Sequence, residues 1–147
     1  MSLYNHASYQ IATKALIFKN DYILVLTTPS GYLDFPGGRV DESERNIPWT
    51  EALKREVTEE LGESISIEVG QTLFVSKRQY QKDNKTNYVA AIFFKCQYNG
   101  GDIKLSDEHI NYEWLKLKDA INHQLEFVSE DEKNQLLTLF NQTNKTD

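Results

Sequence analysis

Three glutamates near the middle of the chain have a spacing that groups their carboxylates if the segment is helical. They are Glu56, Glu59 and Glu60, within residues 55–63. At about 100° per residue, Glu59 lies about 60° to one side of Glu56 and Glu60 about 40° to the other. Clustered carboxylate oxygens are typical ligands of Mg²⁺, which also keeps waters and binds substrate phosphates. The spacing is compatible with a cation site, although helical spacing alone favours a solvated acidic surface.

A helix carrying these acids needs a compensating charge. Glu56 and Glu60 are like charges four residues apart, which costs about 0.2–0.5 kcal/mol. Carboxylates in a last helical turn also face the negative end of the helix dipole, at about 0.3–1 kcal/mol each. A bound divalent cation would offset both penalties.

The helix that positions the acids is predicted between Pro48 and Gly62. Proline favours a first helical turn, Asn46 is a candidate N-cap, and glycine commonly ends a helix. An apolar stripe with i, i+4, i+8 spacing gives this helix a buried face. The stripe consists of Leu53, Val57 and Leu61.

Segments rich in β-branched and aromatic residues predict strands around this helix. They are residues 9–18, 22–28, 64–78 and 86–98, with a further strand around Tyr112 and Trp114. Residues 129–141 predict a closing helix, and the proline- and glycine-rich residues 29–38 predict a loop. Mixed strands with two or three helices indicate an α/β sandwich.

Length and composition predict a single domain over residues 1–147. The net charge of −6 argues against a groove for long nucleic acids, which needs a basic footprint. No apolar run approaches the roughly 18–20 residues that cross a membrane. The chain has no signal-peptide pattern and one cysteine, Cys96, which we interpret as a small buried residue. We therefore expect a cytoplasmic location.

A glycine-containing motif precedes the acidic helix. Phe35-Pro36-Gly37-Gly38 is followed by Glu44 and, after ten more residues, by Arg55-Glu56-Val57-Thr58-Glu59-Glu60-Leu61-Gly62. This arrangement resembles the signature of the Nudix hydrolases: glycine, five residues, glutamate, seven residues, then Arg-Glu-aliphatic-any-Glu-Glu-any-Gly-aliphatic. The resemblance covers most of the chain and implies a Nudix-type α/β/α sandwich with a mixed β-sheet and a catalytic helix.

The resemblance also implies a reaction and a set of roles. The reaction is metal-dependent cleavage of a phosphoanhydride in a nucleoside diphosphate linked to another group. Glu56 and Glu60 would be the main ligands of Mg²⁺ or Mn²⁺, and Glu59 a third ligand or the base that activates water. Arg55 would orient Glu56 or Glu59 by ion pairing; the alternative is that it pairs only with Glu51.

The sequence departs from the family pattern at two places. Ten residues, where the pattern has seven, separate Glu44 from the arginine, and we expect the extra three to lengthen the loop before the helix. Glu44 would then sit differently, or Glu42 or Glu51 would take its role. Glu63 stands where the family usually has an aliphatic residue, and Ile65 is expected to supply that packing.

The general base is left open between two residues. Glu59 is one candidate, and Glu108 is the other because the family often draws an acid from a loop before its last strand. A plain surface acid is the alternative interpretation of Glu108. The three histidines share no metal-ligand spacing, so we interpret them as surface or packing residues.

For the substrate, the sequence predicts a small nucleotide. Gly37 and Gly38 would let the backbone approach the metal and phosphates, Arg78 would meet phosphates, and Tyr80 would stack on a base. Tyr80 also lies 17 positions after Glu63, near a tyrosine typical of dinucleoside polyphosphate hydrolases. Lys77 and Lys82 are further candidates for phosphate contact and Tyr88 for base stacking. The favoured alternative is that most of these side chains are ordinary surface residues of strands and loops.

Three functions are considered: a nucleotide pyrophosphohydrolase, which we favour, an RNA 5′-end pyrophosphohydrolase, and a module that binds a nucleotide without cleaving it. The acidic net charge disfavours the RNA substrate, and retention of the core carboxylates disfavours the binding module. No membrane partner is expected, and a homodimer is left open.

Overall fold

A mixed β-sheet forms the centre of the protein. The computed structural model describes residues 5–144. Within that range the strands of the sheet are β1 (Gln10–Lys19), β2 (Tyr22–Thr27), β3 (Leu33–Asp34), β4 (Gly37–Arg39), β5 (Ser66–Lys82), β6 (Lys85–Gly100) and β7 (Asn111–Lys116). β1 runs parallel to β6 and antiparallel to β2 and β4. β2 pairs antiparallel with β3 and β7, and β5 pairs antiparallel with β6.

Helices cover both faces of the sheet. They are α1 (Trp49–Leu61), α2 (Leu117–Ile121) and α3 (Glu130–Thr143), with a 3₁₀ turn at Glu42–Glu44. The predicted apolar stripe of α1 is buried in a cluster on one face. Leu136 of α3 and Ala120 of α2 belong to a second cluster on the other face. The predicted α/β/α sandwich is therefore confirmed.

The two faces are separated by the alternation of side chains along β1. Successive strand residues point to opposite faces, so Leu16 joins the cluster that contains Leu136 while Ile17 joins the cluster that contains Leu53. All four side chains are fully buried. Complete burial of such a side chain stabilises the fold by about 1.5–3 kcal/mol. β1 is thus the element that fixes α1 relative to the rest of the sheet.

The ends of α1 confirm one sequence prediction and correct another. Gly62 ends the helix with a φ of 98°, a conformation that glycine adopts readily. Asn46 does not cap the N-terminus: Pro48, in an extended conformation, immediately precedes the helix, and no side chain accepts a capping hydrogen bond there. Glu63 is exposed to solvent. Ile65 packs instead against the apolar cluster that contains Leu53, as predicted.

Residues 29–38, predicted as a loop, contain β3 and the start of β4. Strands of two or three residues, one of them rich in glycine, carry no periodic pattern. The predicted strands at residues 64–78 and 86–98 form the β5–β6 hairpin, whose turn uses Asp83 and Asn84 at positive φ. Cys96 is buried as expected, and burial raises the pKa of its thiol to about 12. No helix within residues 5–144 has the length and apolar character to span a membrane.

Candidate active site

A polar cleft of about 360 Å³ opens where α1, β4 and the loop before β7 meet. β4 pairs with β1, which places Gly37 and Gly38 over the helix. The loop before β7 is bonded to the end of α1, because the Ser106 N–H donates to the Glu60 carbonyl at 3.0 Å. The residues that line the cleft are Thr28, Asp34, Gly37, Gly38, Arg39, Asp41, Glu56, Glu60, Glu108 and His109.

Glu60 is a buried carboxylate at the floor of this cleft, with 3% of its surface exposed. One of its oxygens accepts a hydrogen bond from the Gly37 N–H at 2.9 Å. Burial raises the pKa of Glu60 to about 8, against the opposing effects of the Lys14 charge and the Gly37 hydrogen bond. A divalent cation at its free oxygen would supply the charge that stabilises the ionised form.

Glu56 lies one helical turn earlier, with its carboxylate directly against Gly38. A Cβ atom on Gly38 would lie 2.7–2.8 Å from the carboxylate atoms of Glu56, so a side chain there would displace that carboxylate. Burial raises the pKa of Glu56 as well, although the Arg55 charge opposes this. Gly37 and Gly38 therefore both lie against acidic residues of α1, and the approach of their backbone to a metal and phosphates stays a prediction.

Arg55 lies within ion-pair distance of four carboxylates, the longest contact being 3.9 Å to Asp41. It donates two hydrogen bonds of 2.7 Å to Glu44, one of 3.0 Å to Glu59, and lies 2.9 Å from a carboxylate oxygen of Glu56. The alternative that Arg55 pairs only with Glu51 is wrong, since Glu51 pairs with Lys54. Glu59, predicted as a ligand or base, faces Arg55 and does not line the cleft.

Glu44 lies directly against Arg55, although the three-residue insertion separates them by ten residues. The 3₁₀ turn buries Glu44 to 7% exposure, and its carboxylate also accepts from the Asp41 N–H at 3.0 Å. The hydrogen bonds from Arg55, then that from Asp41, lower the pKa of Glu44 to about 2. Glu42 instead pairs with Arg45 on the surface, so it does not take over this role.

Glu108 and His109 join the cleft from the loop before β7. A carboxylate oxygen of each of Glu60 and Glu108 and a ring nitrogen of His109 all lie within 4.8 Å of one another. His109 is buried, and its Nε2 lies 3.1 Å from Asp34 Oδ2. Its Nδ1 is buried without a hydrogen-bond partner among the residues described. Sequence reasoning missed this histidine because a single loop histidine has no ligand spacing to detect.

The donor set fits a divalent cation. Glu56, Glu60 and Glu108 supply carboxylate oxygens, which are the ligands that Mg²⁺ and Mn²⁺ take in proteins. The buried Nδ1 of His109 has no hydrogen-bond partner among the described residues, and the absence of a side chain at Gly38 lets the Glu56 carboxylate approach the β4 backbone.

A buried ion-pair network supports the cleft from below. Lys14 donates to Asp34 Oδ1 at 3.3 Å and to the carbonyls of Phe35 and Gly37 at 3.0 and 3.1 Å. Asp34 also accepts from Arg78 at 2.8 Å. Burial would raise the pKa of Asp34, but Lys14, His109 and Arg78 together hold it well below its usual range.

The two side chains predicted to bind substrate are placed differently. The side chain of Arg78 is 15% exposed, and its guanidinium pairs with Asp34 and with the buried Glu132. Tyr80 donates its hydroxyl to Gln10 at 3.1 Å and lies at the rim near Arg39. Substrate contact by Arg78 and Tyr80 stays a prediction.

Comparison with known proteins identifies the family. The family model described as the NUDIX domain matches residues 8–138. The chain therefore belongs to the NUDIX family.

Among curated proteins, the chain is similar to the nucleoside triphosphatase NudI of Escherichia coli O81 (strain ED1a), with 32% identity over 94 residues. That alignment covers 60% of this chain and 64% of the relative, so it spans just under two thirds of the relative's length.

Solved structures share the fold. A MutT protein from Methanosarcina mazei Go1 superposes with a TM-score of 0.75 and 27% identity, covering 93% of this chain and 96% of that one. An ADP-ribose pyrophosphatase from Streptococcus suis 89-1591 gives a TM-score of 0.68 at 19% identity, covering 95% and 96%, which supports the fold alone.

Proposed function

We propose that this protein hydrolyses a phosphoanhydride bond in a small nucleotide, with Mg²⁺ or Mn²⁺ held by Glu56 and Glu60. The observation that carries the proposal is the convergence of these carboxylates in one cleft, with Glu60 buried and Glu56 seated against Gly38. A nucleoside triphosphate is the first substrate class to test, because the NudI relative is named a nucleoside triphosphatase.

The protein's own groups supply orientation and proton transfer. Arg55, fixed by Glu44, holds Glu56 at the edge of the cleft. The Gly37 N–H of β4 holds one carboxylate oxygen of Glu60, and this hydrogen bond fixes the orientation of the second oxygen. A bound divalent cation would offset the phosphate charge and acidify the attacking water.

Glu108 is the base we propose for activating that water. It lines the cleft and its side chain is not engaged in an ion pair among the described residues, whereas Glu59 is paired with Arg55 outside the cleft. We expect Glu108→Gln to reduce turnover much more than Glu59→Gln, measured as kcat in the same nucleotide assay. Equal turnover of both variants and the wild type would exclude both acids as the base.

The setting of the reaction is also part of the proposal. We infer a cytoplasmic enzyme that acts on free nucleotides. Size-exclusion chromatography with light scattering tests whether it forms a homodimer. The binding module without hydrolysis is the second candidate. It is kept because the retained acids would bind a metal–nucleotide complex whether or not water is activated.

One screen tests the proposed function. Nucleoside triphosphates, dinucleoside polyphosphates, ADP-ribose and a 5′-triphosphorylated RNA are each incubated with the protein and Mg²⁺ or Mn²⁺, and the products are separated by ion-exchange chromatography. We expect cleavage of a small nucleotide that stops on addition of EDTA. Tight nucleotide binding without any product would contradict hydrolysis and support the binding module.

A further inference from the structure

A second cavity opens beside the catalytic cleft, next to the three-residue insertion. It has a volume of about 450 Å³ and shares Arg39 and Asp41 with the catalytic cleft. Arg45 of the insertion and the exposed rings of Tyr9 and Trp49 form part of its wall. Its volume is in the range of small-ligand sites, which is about 300–1,000 Å³. The two cavities are therefore adjacent parts of one larger surface depression.

Arg39 is a fixed cation at the junction of the two cavities. Its guanidinium donates to Gln10 Oε1 at 3.0 Å and to the Tyr80 hydroxyl, and it lies 4.9 Å from the centre of the Tyr80 ring. It forms no ion pair with a carboxylate within residues 5–144. A guanidinium held by neutral partners keeps its charge available, and its planar donors match the oxygens of a phosphate.

The aromatic residues of the second cavity suit a flat heterocycle. Tyr9 is 44% exposed and Trp49 is 42% exposed, so both rings offer open surface. Trp49 is the first residue of α1, and Tyr9 is braced by an edge-to-face contact with Tyr88 at 6.0 Å. Aromatic rings stack on nucleobases regardless of sequence, because every base has a π-face.

We propose that this second cavity, lined by Tyr9, Arg39 and Trp49, binds the nucleobase of the substrate, with Arg39 contacting a phosphate between the base and the catalytic acids. The inference rests on the proposed function, because it takes the phosphates to lie in the catalytic cleft. Tyr80, predicted from sequence as the base-stacking residue, acts here by holding Arg39. The insertion before α1 thus serves the substrate, since Arg45 closes one side of the cavity.

Binding at this cavity has a built-in spectroscopic probe. The sequence has two tryptophans, and Trp114 packs against Tyr98 away from the cavity. The protein with Mg²⁺ is titrated with α,β-methylene analogues of ATP, GTP, CTP and UTP, and separately with inorganic tripolyphosphate, which has no base. We expect at least one nucleotide analogue to change the tryptophan emission, tripolyphosphate to leave it unchanged, and Trp49→Phe to abolish the response.

Affinity measurements on variants complete the test. Tyr9→Ala and Trp49→Ala are expected to raise the Kd of the nucleotide analogue about 5- to 100-fold, the range for loss of one base–aromatic stack. The Kd of tripolyphosphate should be unchanged in both. Tyr22→Ala is the matched control, since Tyr22 is 41% exposed and lines neither cavity.

Two results would overturn the subsite: unchanged nucleotide affinity in both variants, or equal weakening for nucleotide and tripolyphosphate. These results are distinct from a failure of the proposed function. Base-dependent binding without hydrolysis would contradict the reaction and leave the nucleobase subsite intact.

Discussion

Arg55 organises the acidic residues at the scale of single side chains. Its guanidinium is held by the bidentate contact with Glu44, and from that position it reaches Glu56 and Glu59. Glu44 itself does not line the cleft and acts on it through Arg55 and through the backbone of Asp41. The contact between Glu44 and Arg55 forms although ten residues separate them, and the 3₁₀ turn at Glu42–Glu44 holds the Glu44 side chain in a buried position.

Substitution of Glu44 tests this positioning role. We expect Glu44→Gln to lower the affinity for Mn²⁺ or the activity by about 10- to 100-fold, the range for residues that orient metal ligands. The loss follows because a neutral amide holds the guanidinium less firmly. Mn²⁺ binding is measured by titration with electron paramagnetic resonance detection, and activity in the nucleotide assay.

Glu42→Gln is the matched control for this change, because Glu42 lies two residues away and its side chain is 81% exposed. It should behave as the wild type. An equal loss of Mn²⁺ affinity in Glu44→Gln and Glu42→Gln would contradict the positioning role of Glu44.

Only part of the site could be predicted at this scale. Glu56 and Glu60 follow from helical spacing and a known motif, both of which are local in sequence. Asp34, His109 and Lys14 meet across the fold, and no spacing rule connects residues that far apart. Sequence pattern also could not show that Glu59 points to Arg55 instead of into the cleft.

Among the secondary-structure elements, β4 connects the acidic end of α1 to the sheet. It is only three residues long, yet it lies between β1 and the acidic end of α1. The sequence identified its glycines but not the strand, because two adjacent glycines favour a loop by composition. Tertiary pairing with β1 decides the conformation here.

Alanine at the two glycines of β4 should have two different effects. A Cβ on Gly37, whose φ is 130°, would lie 2.0 Å from the Thr13 carbonyl oxygen, so Gly37→Ala should cost more than about 1 kcal/mol of unfolding free energy. A Cβ on Gly38 would meet only the Glu56 carboxylate, so Gly38→Ala should weaken Mn²⁺ binding with less loss of stability. Urea unfolding and Mn²⁺ titration of both variants check this, and identical profiles would refute it.

The contact between β5 and α3 depends on a buried ion pair. Arg78 joins Asp34 beside the cleft to Glu132, which is fully buried on α3. We expect Arg78→Met to reduce the free energy of unfolding by about 3–5 kcal/mol, because it leaves the buried Glu132 without its ion-pair partner and removes one of the cations around Asp34. Urea unfolding measures the loss.

The neighbouring exposed Lys77 provides the control, and Lys77→Met should unfold like the wild type. The same pair of variants decides the predicted substrate contact of Arg78. A raised KM with unchanged stability in Arg78→Met would show that Arg78 binds substrate and does not hold the fold.

At the scale of the whole molecule, the acidic excess has two uses. Part of it forms the cleft, and part forms buried pairs such as those of Asp34 and Glu132. The sandwich itself was predicted from apolar periodicity and the family motif, because both faces of the sheet leave strong hydrophobic patterns. That residues 1–147 form one domain stays a prediction, supported by a family match that extends over residues 8–138.

The low pKa values of paired carboxylates predict a loss of stability in acid. The folded-state pKa of Glu44 lies near 2 against an ordinary value of 4.5, and that of Asp34 is also lowered. A group with a lowered pKa stabilises the fold above its unfolded pKa, and this contribution is lost as the pH falls from about 4.5 toward 2. Thermal unfolding should show Tm falling over this range, and falling less steeply in Glu44→Gln. Equal slopes of Tm against pH for the wild type and Glu44→Gln would contradict the lowered pKa of Glu44.

The central claim is that the end of α1 holds a divalent cation for phosphoanhydride hydrolysis, and Glu60 tests it most directly. Glu60→Gln keeps the size of the buried side chain but removes its charge, while Glu63→Gln makes the same change three residues later at an exposed position.

The measurement is Mn²⁺ binding, with nucleotide turnover recorded on the same samples. The account predicts that Glu60→Gln loses at least about 100-fold in turnover, equivalent to about 2.7 kcal/mol, and binds Mn²⁺ more weakly, while Glu63→Gln matches the wild type. Wild-type Mn²⁺ affinity and turnover in Glu60→Gln would contradict it.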